Sequence, residues 1–317
     1  MIELTWRPLT SENAQASADL LNAIETVDKI GENYTAEDTL TELTDPYADL
    51  ERASLAAFDG DVMVGYMKVR HKPSAEEVHR VVVDGGVHPA YRRRGVGTAL
   101  LKAGIKAAKA VHALHHPALK LAIDVYKAEH IAGVPELVRS QGFAPTRYYQ
   151  RMEHPLGDLH PVAIPDGLQV EPWSPDNDED FRRVRNESFQ DYWGAVPMPV
   201  ELWQNKITNQ TFRPGVSFLL RDSANGSPAG VLVTMTWEAD TEATGIRDAH
   251  FMVVGTRREY RERGVASALI GHALQAAAEQ GYDQASLSVE TDAGAPRVFE
   301  KAGFTPTQRY VRWALNG

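Results

Sequence analysis

Polar and apolar residues along this chain follow two periods, and the whole succession of periods runs twice. In the first half, valine-rich runs with two-residue alternation predict strands at 53–58, 62–70 and 79–88. A strand at 2–9 and helical patterns near 11–28 and 36–45 come before them. An alanine-rich helical pattern at 95–112 follows, then a strand at 119–125, a helix at 131–140 and a strand at 143–152. The second half opens with a strand from Leu168 to Trp173 and helices near 176–190 and 199–207. Strands at 216–221, 229–238 and 248–256 lead to a helix at 264–280, a strand at 284–289, a helix at 294–302 and a strand at 304–314. In that long helix Val265, Ala268, Leu269, Ala273, Leu274 and Ala277 recur at helical spacing, and Gly281 supplies the stop.

Two local matches support a duplication. Val87-His88-Pro89-Ala90-Tyr91-Arg92-Arg93-Arg94-Gly95-Val96-Gly97-Thr98 corresponds to Thr256-Arg257-Arg258-Glu259-Tyr260-Arg261-Glu262-Arg263-Gly264-Val265-Ala266-Ser267. Gly142-Phe143-Ala144-Pro145-Thr146 corresponds to Gly303-Phe304-Thr305-Pro306-Thr307, at a similar interval from the first match. Between the halves, residues 153–167 hold three prolines and two glycines without apolar period, which reads as a linker. The expected organisation is therefore an α/β chain of two domains, 1–152 and 168–317, each with its own core. A length of 317 residues is sufficient for that.

Charge and composition narrow the function. The formal net charge is −10, where a nucleic-acid binder would carry a basic excess, so the clustered arginines are local features and no nucleic-acid partner is expected. An acidic exterior suits a cationic acceptor such as an amine. There is no cysteine, hence no thiolate nucleophile, thiolate metal site or disulfide. No run approaches a membrane span, and the first residues lack a signal-peptide layout, so a cytoplasmic protein without a membrane partner is expected. His79, His88, His112, His115 and His116 lack acidic ligands at useful spacing, and no metal is expected there.

The duplicated element carries the chemistry. A strand, a basic turn with small residues and a helix N-terminus together form an anion cradle: main-chain N–H groups meet a phosphate where no Cβ interferes. Arg92-x-x-Gly95-x-Gly97 and Arg261-x-x-Gly264-x-Ala266 have that layout. They lack the Gly-Lys-Ser/Thr end of a P-loop and the Gly-x-Gly-x-x-Gly of a dinucleotide fingerprint.

Val-x-Pro-x-Tyr-Arg-x-x-Gly-x-Gly after a strand, followed later by a short helix ending in Gly-Phe, resembles the GNAT superfamily of acyl-CoA N-acyltransferases. The chain is similar, over nearly its whole length, to the tandem actinobacterial enzymes of the mycothiol synthase group. The resemblance implies two GNAT domains, each a mixed and mostly antiparallel sheet splayed between its fourth and fifth strands and flanked by helices. Acetyl-CoA would lie in the splay. Carried over, strand contacts fall on Gly85, Gly86 and Val87 and on Val254, Gly255 and Thr256. Cradle contacts fall on Arg93, Arg94, Gly95, Val96, Gly97 and Thr98, and on Arg261, Glu262, Arg263, Gly264, Val265, Ala266 and Ser267.

The same resemblance implies a base on the fourth strand, six residues before the motif's first position. That count lands on His250 in the second half and on Val81 in the first. Imidazole can accept the proton an amine must lose, and valine cannot. His250 is thus either the base or a strand histidine satisfied by a neighbouring carbonyl, with Asp248 as reserve base or orienter. The family's tyrosine acid, four residues before Gly-Phe, is replaced by Val138 and Phe299; Tyr310 and Tyr149 lie near by on the last strands. Glu187, Asp191, Tyr192 and Trp193 fall where the family binds its acceptor, or else pack a helix end. The expectation is an acetyl-CoA-dependent N-acetyltransferase acting on a small-molecule amine, as a monomer or homodimer. Its C-terminal copy would be catalytic and its N-terminal copy degenerate. The alternative is a non-catalytic acyl-CoA-binding module.

Overall fold

The valine-rich alternation becomes strand and the alanine-rich spacing becomes helix in both halves. The computed structural model describes residues 3–45, 48–72, 74–291 and 296–317. In chain order the elements are β1 (Thr5–Arg7), α1 (Ala14–Asp28), α2 (Ala36–Leu43), α3 (Leu50–Ala53), β2 (Ser54–Asp59), β3 (Val62–His71) and β4 (Val78–Val87). Next come α4 (Val96–His115), β5 (Lys120–Ala128), α5 (Val134–Ser140), β6 (Ala144–Pro155), β7 (Leu168–Pro172), α6 (Asp178–Phe189), α7 (Val200–Ile207) and β8 (Phe218–Asp222). The chain ends with β9 (Pro228–Met235), α8 (Glu238–Thr244), β10 (Asp248–Thr256), α9 (Val265–Glu279), β11 (Gln284–Glu290), α10 (Pro296–Lys301) and β12 (Thr305–Asn316). Residue 2 of the first predicted strand and residues 294–295 of the last predicted helix lie outside the described residues.

Local chemistry sets the element ends. Thr35 caps α2 by accepting from the N–H of Asp38, while the Asp38 carboxylate accepts from the Thr35 N–H. That reciprocal box contributes about 1 kcal/mol. Gly245, left-handed at φ 71, ends α8. The sequence pattern missed both this helix and α3. The apolar run that ends in β9 was extended to 238, where Glu238 and Asp240 in fact open a helical turn favoured by their charge.

Two compact units result: residues 1–148 with Arg309–Gly317, and Tyr149–Gln308. In the first, strands follow the order β1-β2-β3-β4-β5-β12; in the second, β6-β11-β10-β9-β8-β7. Within each sheet β4–β5 and β10–β11 are parallel and the other paired strands described are antiparallel. This corrects the division expected from the sequence, in which each half kept its own last strand. From Tyr310 to Asn316, β12 pairs with β5 in the first unit. From Tyr149 to Pro155, β6 pairs with β11 in the second, so residues 153–155 of the expected linker are strand.

A buried ion pair fastens the first exchange. Arg312 of β12 donates to Asp124 of β5 at 2.5 Å, with side chains 3% and 1% exposed. In each unit the long helix packs its small apolar face on the sheet. Leu269 and Ile270 of α9 are fully buried, each contributing about 1.5–3 kcal/mol. Among the described residues no helix is long and apolar enough to cross a membrane.

Candidate active site

In the first unit, β4 and β5 stay paired from Val78↔Lys120 to Val82↔Asp124. Beyond that point β4 keeps its partner β3 while β5 keeps β12, and the two strands part. A cavity of about 760 Å³ opens there, lined by Gly85, Gly86 and Val87 of β4, by Tyr126 and Lys127 of β5, and by the basic turn before α4. Gly85 is required by close approach: a Cβ there would lie 2.5 Å from the Tyr66 carbonyl oxygen on β3.

The turn itself has the backbone of a nest. Arg93 at φ 62 and Gly95 at φ 84 are both left-handed, the backbone alternation that gathers N–H groups into a concave nest. Gly95 is the N-cap of the 20-residue α4 and no side chain caps it, so the first-turn N–H groups and the helix dipole serve the same spot. Arg92 is committed elsewhere: its guanidinium binds both oxygens of Asp28 at 2.7 and 2.8 Å, tying the end of α1 to the cradle. Arg93 has no ion-pair partner among the described residues, and Arg94 lies over the Tyr91 ring, 5.3 Å from its centroid.

Away from the cradle a polar cluster around Asp84 sits in an otherwise largely apolar lining. Lys127 Nζ donates to the Gly85 carbonyl at 2.8 Å and lies 3.6 Å from Asp84 Oδ1. Tyr66 donates to Asp84 Oδ2 at 3.4 Å, and Tyr34 donates to Glu32 at 2.8 Å. Burial alone would raise the Asp84 carboxyl, but Lys127, Lys68, Arg70 and the Gly85 N–H hold it well below the usual carboxylate range. The sequence reading missed Asp84, whose place in a cavity is set by the fold.

In the second unit β10 and β11 are paired only over Asp248↔Gln284, Ala249↔Ala285 and His250↔Ser286. Here β10 carries a register shift against β9 between Phe251 and Val253. The predicted His250 and Asp248 are brought together by a residue the sequence reading missed. Two positions apart, they share a face of β10, and Ser286 is registered beside His250. Ser286 Oγ donates to Asp248 Oδ2 at 2.5 Å, and the ring Nδ1 of His250 lies 2.8 Å from Ser286 Oγ. With the serine proton on Asp248, Nδ1–H is the donor to Ser286 and Nε2 carries the free lone pair. No protein group is hydrogen-bonded to Nε2 among the described residues.

Burial and the neighbouring Arg151 push His250 down to about 3. Burial raises Asp248 to about 6, against the Ser286 hydrogen bond and Arg151, which donates to Asp248 Oδ2 at 2.9 Å.

The second cradle has the same backbone and different charges. Gly264 at φ 78 caps α9, and the left-handed position matched to Arg93 is Glu262 at φ 62. Of the residues expected to meet the acceptor, Glu187 pairs with Arg257 at 2.5 Å and Asp191 with Arg258 at 2.6 Å. Arg261 donates to the Ser188 carbonyl and lies 3.6 Å from Asp191. Both carboxylates therefore face the basic turn. Tyr192 stands edge-on to Phe189, ring centroids 6.0 Å apart, and Trp193 is half-buried.

The remaining sequence candidates are packing residues: Val81, Val138 and Phe299 are buried. Strand exchange moves the two tyrosines, since Tyr310 lines the first unit's cavity and Tyr149 pairs with Glu290 in the second. Among the described residues no group of His, Asp and Glu side chains is arranged to hold a metal ion.

The family model described as acetyltransferase (GNAT) family matches residues 20–130 and 178–304. The chain is 26% identical to a mycothiol acetyltransferase of Mycobacterium sp. (strain JLS), over 96% of this chain and 95% of that one. It is 28% identical to a mycothiol acetyltransferase of Kytococcus sedentarius, over 90% and 87%. Among solved structures, a GCN5-related N-acetyltransferase from Sphaerobacter thermophilus superposes with a TM-score of 0.75 at 23% identity, covering 99% of this chain and 95% of the other. A tandem GNAT protein from the clavulanic acid biosynthesis pathway gives a TM-score of 0.75 at 17% identity, covering 99% and 98%. At these identities the two superpositions speak for the fold alone.

Proposed function

The chain belongs to the acetyltransferase (GNAT) family, and from that membership we propose that it transfers an acetyl group from acetyl-CoA to the primary amine of a small molecule, with proton transfer in the second unit. The observation that carries the reading is the parting of parallel strands beside a glycine-capped helix N-terminus. In the first unit that parting surrounds a 760 Å³ cavity.

The residues present fit acetyl-CoA. Gly85, Gly86 and Val87, and Val254, Gly255 and Thr256, offer strand-edge amide groups to pantetheine as an added strand would. The N–H groups of Arg93–Thr98 and Arg261–Ser267 would hold its pyrophosphate. Bound acetyl-CoA supplies a thioester carbonyl open to amine attack and a thiolate that leaves without prior protonation near neutral pH.

His250 Nε2 accepts the proton of the acceptor ammonium, directly or through one water. An imidazole near 3 is a weak resting place for that proton. Nδ1–H therefore passes its proton to Ser286 Oγ, and Ser286 passes its own to Asp248, which near 6 is the better terminus. Phe299 donates nothing, and no general acid is assigned. The acceptor lies along 187–193, where Tyr192 and Trp193 offer ring faces. Glu187 and Asp191, engaged by Arg257 and Arg258, shape that cleft rather than neutralise the amine. With Val81 at the matching position, the first unit holds acetyl-CoA without general-base assistance.

The test is release of free thiol from acetyl-CoA by the full chain against a panel of primary amines, with the N-acetylated product identified by mass. Product and thiol appearing in equal amounts support the reading. Acetyl-CoA binding without thiol release on any amine would overturn it in favour of a non-catalytic binding module.

A further inference from the structure

We propose that Lys127 is a self-acetylation site: the chain transfers acetyl from the acetyl-CoA held in its first unit to its own Lys127 side chain. The proposal rests on the first unit binding acetyl-CoA as set out above.

Among the residues that line the cavity, Lys127 carries the one primary amine; the other cations are the guanidinium groups of Arg92 and Arg93. Its place along β4 matters. The strand runs from the point of parting, at Val82, through Gly85–Val87 to the cradle at Arg93–Thr98. A ligand with its pyrophosphate in the cradle and its pantetheine along Gly85–Val87 must present its acyl end near Asp84 and Gly85. Lys127 Nζ is there, 2.8 Å from the Gly85 carbonyl oxygen. An amine held beside a thioester reacts as an intramolecular nucleophile, with effective molarities far above those of a free lysine.

The balance is that of ordinary aminolysis. The Nζ–C bond to the acetyl carbonyl forms, the C–S bond breaks, and CoA leaves as the thiolate. The nucleophile is the neutral amine, and the proton its nitrogen loses as the amide forms goes to solvent. Nothing is oxidised or reduced. The product loses its positive charge and fills the acyl end of the cavity with an acetamide. The mark therefore limits further acetyl-CoA binding in this unit and leaves the second unit untouched.

The experiment incubates the full chain with isotopically labelled acetyl-CoA and no acceptor amine, then quantifies acetylation at each lysine by peptide mass spectrometry. Hydrogen exchange of Gly85–Val87 is followed in parallel. We expect Lys127 to be acetylated at least ~10-fold faster than the exposed Lys102, Lys106 and Lys109 of α4, with saturation in acetyl-CoA. In Arg93→Glu the Lys127 rate should fall ~10-fold while the α4 lysines are unchanged. Lys127 reacting no faster than the α4 lysines, while acetyl-CoA protects Gly85–Val87 from exchange, would overturn the proposal and leave the binding reading standing. Neither protection nor acetylation would overturn both.

Discussion

The two units share a strand order and differ at the places where a ligand would be gripped and a proton moved. In the first, β4 meets β3 in unbroken register from Gly65↔Val87 to His71↔Val81, and the cradle reads Arg92-Arg93-Arg94. In the second, β10 is shifted in register between Phe251 and Val253, and the cradle reads Arg261-Glu262-Arg263. A left-handed backbone recurs at Arg93 and Glu262 at the same φ, so the fold keeps the nest while the charge at that one position changes sign. At the parting of the strands the first unit has buried Val81 and the second has His250 with Ser286 and Asp248. On the proposed reading, anion binding and proton transfer are separable on this fold, because one would depend on the helix N-terminus and the other on side chains at the parting point.

Breaking the comparison at its strongest point means removing the imidazole. His250→Ala should lower turnover ~10²–10⁴-fold with little change in acetyl-CoA affinity. Unchanged steady-state turnover would remove His250 from the reaction. In the unaltered protein turnover should fall as pH drops through about 6, because protonated Asp248 can no longer receive the relayed proton.

Next comes the exchanged strand. Arg312→Met leaves Asp124 buried without its partner and should destabilise the first unit by about 3–5 kcal/mol. Urea unfolding followed by hydrogen exchange should show the loss in β5 and β12, with β10 and β11 unaffected.

A further expectation concerns acid sensitivity in the first unit. His79, 1% exposed, is lowered to about 4 by burial and by the surrounding His116, His71, His112 and His115. Below about 6.5 the unfolded chain takes a proton that the folded one refuses, so stability falls as pH drops from about 6.5 towards 4. The His79 contribution should be on the order of 1–3 kcal/mol, so the acid-induced loss should be smaller by that amount in His79→Leu. A pH-independent denaturation midpoint across that window would contradict it. The smallest effect sharpens the cradles: Glu262→Arg should tighten acetyl-CoA binding in the second unit by ~2–10-fold, read by calorimetry.

Much of this was legible in the chain. Period and punctuation located most strands and helices, and the duplicated basic turn marked both cradles, because strand, glycine and helix start are local properties. The exchange of β6 and β12 was not legible, since hydrogen-bonding partners of a last strand are set by long-range packing. For the same reason Ser286 escaped notice: a serine in a strand becomes a relay only through the register His250↔Ser286. Glu187 and Asp191 looked available to an amine, and their pairing with Arg257 and Arg258 spans about 70 residues of sequence. Asp84 and Lys127 also escaped notice, because they lie on different strands and meet only in the fold.

Hydrogen exchange during an acetyl-CoA titration of the full chain tests the unequal division of grip and chemistry most directly. The account predicts that Gly85–Val87 and Arg93–Thr98 are protected at lower acetyl-CoA concentration than Val254–Thr256 and Arg261–Ser267. Protection that appears first, or only, in the second unit would contradict it.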